Sequence, residues 1–179
     1  MKAIKSLFAV SSLGILFSGC SQSNSSHETE SAKTDSVEVV QPAAVFKDEN
    51  LNLVYSNYID LKNALVLSKS DQAQATATKL ANALLKIDGC ENTAGLANHL
   101  AGSTDLVDQR KDFTTISSDI IALMKNADIS SGKMYVQYCP MANSGKGGFW
   151  LASENKINNP YYGDDMLNCG EVKETFVKK

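Results

Sequence analysis

The sequence predicts a mainly α fold: an antiparallel bundle of three long helices, plus a short one, with a small irregular or β C-terminal lobe. Three observations lead there. Apolar residues recur at steps of three and four through residues 48–128. That spacing disappears after Ser130-Ser131-Gly132, and the last third gathers glycines, aromatics and most of the sulfur chemistry. A chain of 179 residues suits one domain with a tail rather than two domains.

The order of segments starts with an address. Met1–Cys20 has Lys2 and Lys5 ahead of a short apolar run from Leu7 to Phe17, then Ser18-Gly19 and a cysteine. The run is too short to span a bilayer and reads as a secretory signal over residues 1–19. A cysteine after a small pair matches a bacterial lipobox, with Phe17 where Leu is usual. Cys20 is then the lipidated first residue of the mature chain, because several acyl chains on one residue anchor it stably. Ser21, rather than Asp, at the next position favours the outer membrane over inner-membrane retention. The expected location is therefore the cell envelope, an outer-membrane-anchored lipoprotein facing the periplasm, where thiols meet oxidising conditions.

Residues 20–46, from the lipidated cysteine to the start of the body, are rich in Ser, Thr and Glu and lack apolar periodicity, which predicts a flexible tether. His27 within it reads as solvated, and Asp35-Ser36-Val37 matches a three-residue acceptor pattern of bacterial O-glycosylation. The folded domain is expected over 47–179, with a helical body at 48–128 and a Cys/Met/aromatic-rich lobe at 133–176.

In the first helix Leu51, Val54, Tyr58, Leu61 and Leu65 share one face. Ser70-Asp71 caps the second, in which Ala73, Ala77, Leu80, Leu84 and Ile87 repeat the spacing and Gly89 ends the run. A short helix covers Thr93–Leu100. After Gly102-Ser103-Thr104, a third long helix runs from Asp105 to Asn126 with Leu106, Phe113, Ile116, Ile120 and Leu123 as its stripe. These stripes are core. Lys133–Cys139 is a β-prone run ended by Pro140, followed by the loop Asn143–Gly148 and Phe149-Trp150-Leu151. Asn159-Pro160 marks another turn.

Composition excludes several functions. Lys and Arg total 17 against 20 Asp and Glu, so there is no basic surplus for a phosphate backbone and no nucleic acid is expected as partner. With two histidines in the chain, only His99 lies in the body, which rules out blue copper and three-histidine zinc. No CxxC, GxSxG or GxxxxGK[ST] occurs, so thioredoxin-type exchange, a hydrolase elbow and a phosphate loop are disfavoured. Asp164-Asp165 in a glycine turn reads as solvated. No enzyme is expected.

Two sulfur pairs remain. Cys139 and Met141 are two apart, which places them on one side of an extended strand; Met166 and Cys169 are three apart, which places them on one side of a helical turn. Together they would offer two thiolates and two thioethers, a soft donor set that selects Cu(I) or Ag(I), with His99 as an extra ligand. Trp150, Tyr138 or Tyr161 would shield them from water. The competing reading is a Cys139–Cys169 disulfide closing a loop of about 30 residues, worth roughly 3–4 kcal/mol by chain entropy, with the methionines as core filler. Cys90 is then the odd thiol, a small buried hydrophobe.

The run Tyr135–Ala142, the Gly-Lys-Gly loop with Trp150-Leu151, and Asn159–Asp164 onward to Met166–Val172 resemble family 3347 of domains of unknown function. So do Tyr58–Leu65 and Gln109–Phe113 with Ile116-Ser117. Domains of that family occur as secreted or lipoprotein forms and fused to periplasmic adaptor subunits of copper/silver efflux pumps. The resemblance implies soft-metal handling at Cys139, Met141, Met166 and Cys169, with a metal-efflux adaptor as partner. The Cys-Pro-Met element is also similar to that of short heavy-metal-binding domains on such pumps, in which a His follows where Ala142 stands here. Two functions are thus expected as alternatives: Cu(I)/Ag(I) binding or transfer, and a disulfide-stapled interaction module presenting Phe149, Trp150, Tyr161 and Tyr162.

Overall fold

The computed structural model describes residues 43–178, and within them the protein is mainly helical with a small C-terminal antiparallel sheet. The leader, Cys20, His27 and Asp35–Val37 lie outside the described residues. Among those described, no helix is long and apolar enough to cross a membrane.

Strand β1 (Val45–Phe46) leads into helices α1 (Glu49–Val66), α2 (Ser70–Leu84), α3 (Glu91–Gly102) and α4 (Leu106–Lys125). The caps explain the starts. Asp48 accepts from the Asn50 N–H at 2.7 Å, and Asp105 accepts from the Val107 N–H at 2.7 Å, satisfying donors that the first helical turn leaves open. Ser70, the expected cap of α2, is instead the first helical residue: Lys69 occupies the cap position, and the Ser70 hydroxyl donates to the Thr104 carbonyl at 2.7 Å. The helix ends at Leu84, so Ile87 packs from the following turn rather than from the stripe. The short helix is longer than its expected Thr93–Leu100, with 12 residues.

Helices adjacent in sequence pack on one another along the body, α1 on α2, α2 on α3 and α3 on α4. Ala73, Ala77 and Ala81 of α2 are fully buried, and small side chains there let neighbouring backbones approach closely. After α4 come β2 (Ile129–Ser131), which pairs with β1, and β3 (Lys133–Cys139), the centre of a sheet ordered β4-β3-β5. Strands β4 (Gly148–Ala152) and β5 (Glu171–Val177) flank it, both antiparallel; Gln137 faces Trp150 and Cys139 faces Gly148 across β3 and β4.

The folded body starts earlier than the expected tether boundary at residue 46. Ala44 and Phe46 are in the core, and the Phe46 ring meets Tyr55 edge-on at 5.4 Å. Asn52 locks this entry by accepting from the Phe46 N–H at 2.7 Å and donating to its carbonyl at 2.8 Å. Burial of Ala44 and Phe46 and the two Asn52 hydrogen bonds both act against the entropy lost in ordering this short stretch.

The sheet is fastened to the helices by α4 against β4 and by a chain of rings. Tyr58 stacks on Phe113 at 5.5 Å, Phe113 meets Tyr161 at 5.8 Å, and Tyr161 meets Trp150 at 6.0 Å. The Tyr58 hydroxyl lies 2.7 Å from Ser117 and accepts the Leu151 N–H at 3.1 Å, joining α1, α4 and β4 at one atom. Burial raises the phenol well above its ordinary value, so it stays neutral.

One buried ion pair adds a second fastening. The Lys62 ammonium on α1 is fully buried and lies 2.6 Å from Glu154, just past β4. Burial pushes the Glu154 carboxyl up, but the Lys62 charge and hydrogen bonds from Lys62, Ser153 and Asn158 outweigh it and hold the group below the usual range. A depressed carboxyl contributes stability that is present above the unfolded value and lost as pH falls through the folded one. Glu154→Gln strands a buried ammonium and is expected to cost roughly 3 kcal/mol, the low end for such a pair because Glu154 is 32% exposed. Urea unfolding checks this, and the double variant Lys62→Met/Glu154→Leu should recover most of the loss.

Candidate sulfur site

Cys139 is the last residue of β3, and Pro140, without an N–H to donate, stops the strand there. The thiol is fully buried. Cys169 follows the short helical turn Gly163–Met166 and closes it, its N–H donating to the Met166 carbonyl at 3.0 Å. The fold brings the two sulfurs, 30 residues apart in the chain, to 2.7 Å. Cys169 is half-buried, and the hydrogen bond to Cys139, then burial, raise its thiol above the ordinary value.

The loop that delivers Cys169 is built around Asn159. Its side chain is fully buried; the amide donates to the Cys169 carbonyl at 2.8 Å, and the amide oxygen accepts the Tyr161 N–H at 2.8 Å. Its backbone N–H reaches the Leu167 carbonyl at 2.9 Å, and its own carbonyl accepts the Gly163 N–H at 3.0 Å. Arg110 of α4 holds the same loop, donating from Nε to the Pro160 carbonyl at 2.9 Å. Gly170 then passes beneath Trp150: a Cβ there would come within 2.9 Å of the indole and of the Tyr138 carbonyl, at a φ of +146°. Gln137, buried on β3, donates to the Glu154 and Lys156 carbonyls at 2.9 and 3.1 Å.

The other expected residues are distributed unevenly around the pair. Met141 is 52% exposed, with its carbonyl accepting from the Tyr162 hydroxyl at 2.5 Å. Met166 is half-buried on the turn that closes at Cys169. Trp150 and Tyr161 are buried and belong to the sheet–helix contact, so they cannot serve as a docking surface. Phe149, at 44% exposure, is the solvent-facing ring of that set, tilted against Tyr138 at 4.4 Å. Asp164 and Asp165 are exposed. Cys90 is half-buried at the start of α3, not enclosed, and burial raises its thiol, with Glu91 and Asp119 adding to the effect.

His99 is placed elsewhere. Its Nδ1 lies 2.6 Å from Asp112, across from α3 to α4, and among the described residues no third His, Cys, Asp or Glu groups with another two to hold a metal. An extra imidazole ligand beside the cysteines therefore finds no place in this geometry: the helix that carries His99 turns it toward a carboxylate on α4. The hydrogen bond to Asp112, then its charge, raise the imidazole above its ordinary value. Because a raised base contributes stability below its unfolded value and loses it as pH rises through the folded one, the α3–α4 contact is tighter in mild acid.

Lys62, Glu154, Gln137 and Asn159 escaped sequence reasoning. Lys62 did carry a signal, since it continues the spacing of Tyr55 and Tyr58 onto the buried face of α1. Asn159 showed only a turn dipeptide.

Comparison with known proteins adds one finding. Residues 54–132 match the family described as protein of unknown function, DUF3347. The family resemblance read from the sequence holds over this segment. It spans α2 to β2 and most of α1, and it ends before β3, so Cys139 and Cys169 lie beyond the DUF3347 segment. No curated protein and no solved structure matches the chain.

Two measurements follow from the local geometry. His99 should titrate above the ordinary value of about 6.5, and Asp112→Asn should bring it back; the imidazole proton resonances report both. Gly170→Ala drives a Cβ into the indole and should destabilise the lobe by about 1–3 kcal/mol, read in the fluorescence of Trp150, the single tryptophan of the chain.

Proposed function

We propose that the chain is a non-enzymatic protein of the cell envelope that binds Cu(I) or Ag(I) as cargo, buffering the ion or passing it to an efflux adaptor. It would be anchored to the outer membrane through lipid on Cys20 and facing the periplasm. An antiparallel bundle of its longer helices would be the rigid support. The observation that carries this reading is the convergence of Cys139 and Cys169, from opposite ends of the lobe, to 2.7 Å. Two thiolates with thioethers at Met141 and Met166 on the adjoining backbone make a soft donor set, suited to monovalent coinage metals and not to Mg²⁺ or Ca²⁺. The residues present fit such cargo: each cysteine has a methionine two or three positions away. A buried Cys139 and the indole of Trp150 beside Gly170 keep water from one side of the pair.

The same sulfur approach favours a second reading, in which the oxidised pair is a staple and the lobe is an interaction module. Its exposed aromatic is Phe149, tilted against half-buried Tyr138.

Native mass of the reduced chain carrying Cys20→Ser tests the first reading. One Cu(I) per chain is expected, lost in Cys139→Ser while the helical circular dichroism is retained; unchanged affinity in Cys139→Ser would sink the assignment. The staple reading instead expects a lowered Tm in that variant, by about 3–4 kcal/mol of stability, and no response to copper.

A further inference from the structure

Without a CxxC motif the sequence disfavours thiol exchange, yet the fold assembles a dithiol from two distant segments. The two members differ. Cys139 is fully buried at the end of β3 and is held by strand pairing to Gly148 of β4. Cys169 is half-buried on a short turn, its backbone held by the Asn159 amide and by the Met166 carbonyl. An exchanging pair needs this asymmetry: one sulfur that an incoming disulfide can reach, and a second that it cannot, close enough to resolve the mixed intermediate.

We infer that Cys169 and Cys139 form a thiol–disulfide exchange site for low-molecular-weight disulfides and thiols, entered at Cys169 and resolved by Cys139. In the oxidising direction the Cys169 thiolate attacks one sulfur of a small disulfide. That S–S bond breaks, a mixed disulfide forms on Cys169, and the released small thiolate takes up the proton that Cys169 gave to solvent. Cys139, deprotonated, then attacks the Cys169 sulfur from its position 2.7 Å away. The mixed bond breaks, the Cys139–Cys169 bond forms, and a second small thiol leaves with the second proton. The protein loses two electrons and two protons, and the small disulfide gains both. The half-buried attacking sulfur suits a small partner rather than the face of another protein. The proposal does not require metal binding. If the pair does carry Cu(I) as proposed above, exchange would decide when the ligands are available, since a disulfide no longer presents thiolates.

The test uses the full chain carrying Cys20→Ser and Cys90→Ser, which leaves Cys139 and Cys169 as its only thiols. All buffers hold a copper chelator, so failure to bind metal leaves the result unaffected. Oxidised glutathione is the probe and intact mass the readout. With both cysteines present, two glutathione equivalents are released and the protein loses two thiols. Adding Cys139→Ser should arrest the reaction as a glutathione adduct on Cys169, and adding Cys169→Ser should slow labelling at least tenfold. Labelling of Cys139 as fast as Cys169 overturns the assignment of roles. Should either serine variant fail to fold, the unvaried pair decides the matter in mixtures of reduced and oxidised glutathione. Interconversion with the helical circular dichroism unchanged supports exchange in the native state; a bond that forms or breaks only as that signal is lost overturns it.

Discussion

The lobe depends on the burial of Tyr58. Its ring stacks on Phe113 inside the helical body, and its hydroxyl meets Ser117 of α4 and the Leu151 N–H of β4. A buried phenol needs a partner for its polar end, and here that need is met by the first strand of the lobe that reaches the helices. The sheet cannot slide along α4 without leaving the Leu151 N–H unpaired, at a cost of about 1–3 kcal/mol for the orphaned group. Trp150 and Tyr161 continue the same contact outward, which is why these two rings are structural rather than available.

From that anchor the positions of both sulfurs follow. Cys139 is two residues along β3 from Gln137, the cross-strand partner of Trp150, so the register that seats the indole also seats the thiol. Cys169 arrives by a longer route, through the loop from Ser153 to Asn168, which contains little regular structure and must be held by side chains. Lys62 pins its start through Glu154, Arg110 its middle at Pro160, and Asn159 its end at the Cys169 carbonyl. Each of these is a buried or half-buried polar group with a defined partner. Such networks specify one arrangement because a partly satisfied alternative leaves charge or amide groups desolvated. The buried Lys62–Glu154 pair is thus better understood as setting loop position than as adding net stability.

The chemistry at the sulfurs has one physical origin in both of its proposed forms. Two thiols close together, one sheltered and one reachable, can share a soft cation when reduced or share a bond when oxidised. Electron count alone distinguishes the two. The DUF3347 match covers the body that supports the site and ends ahead of the residues that form it.

Helical periodicity was legible over the whole body because α-helical contacts are local: residues three and four apart share a face whatever the rest of the chain does. Asp48 and Asp105 were readable as starts for the same reason, while Ser70 falls inside α2 and its hydroxyl donates to the Thr104 carbonyl. The two Cys/Met segments stood out by residue type and spacing, but neither their approach nor the exclusion of His99 was visible. The approach depends on strand register and on a loop fixed by Asn159 and Glu154, and the place of His99 on the packing of α3 against α4, none of which is a local property of the chain. The amino-acid sequence by itself therefore determined the helices, the change of character after Gly132 and the clustering of Cys and Met in the last third. Only the tertiary structure decided which of these side chains meet, which are buried and which are exposed, because burial and long-range pairing are properties of the packed chain and not of any window along it.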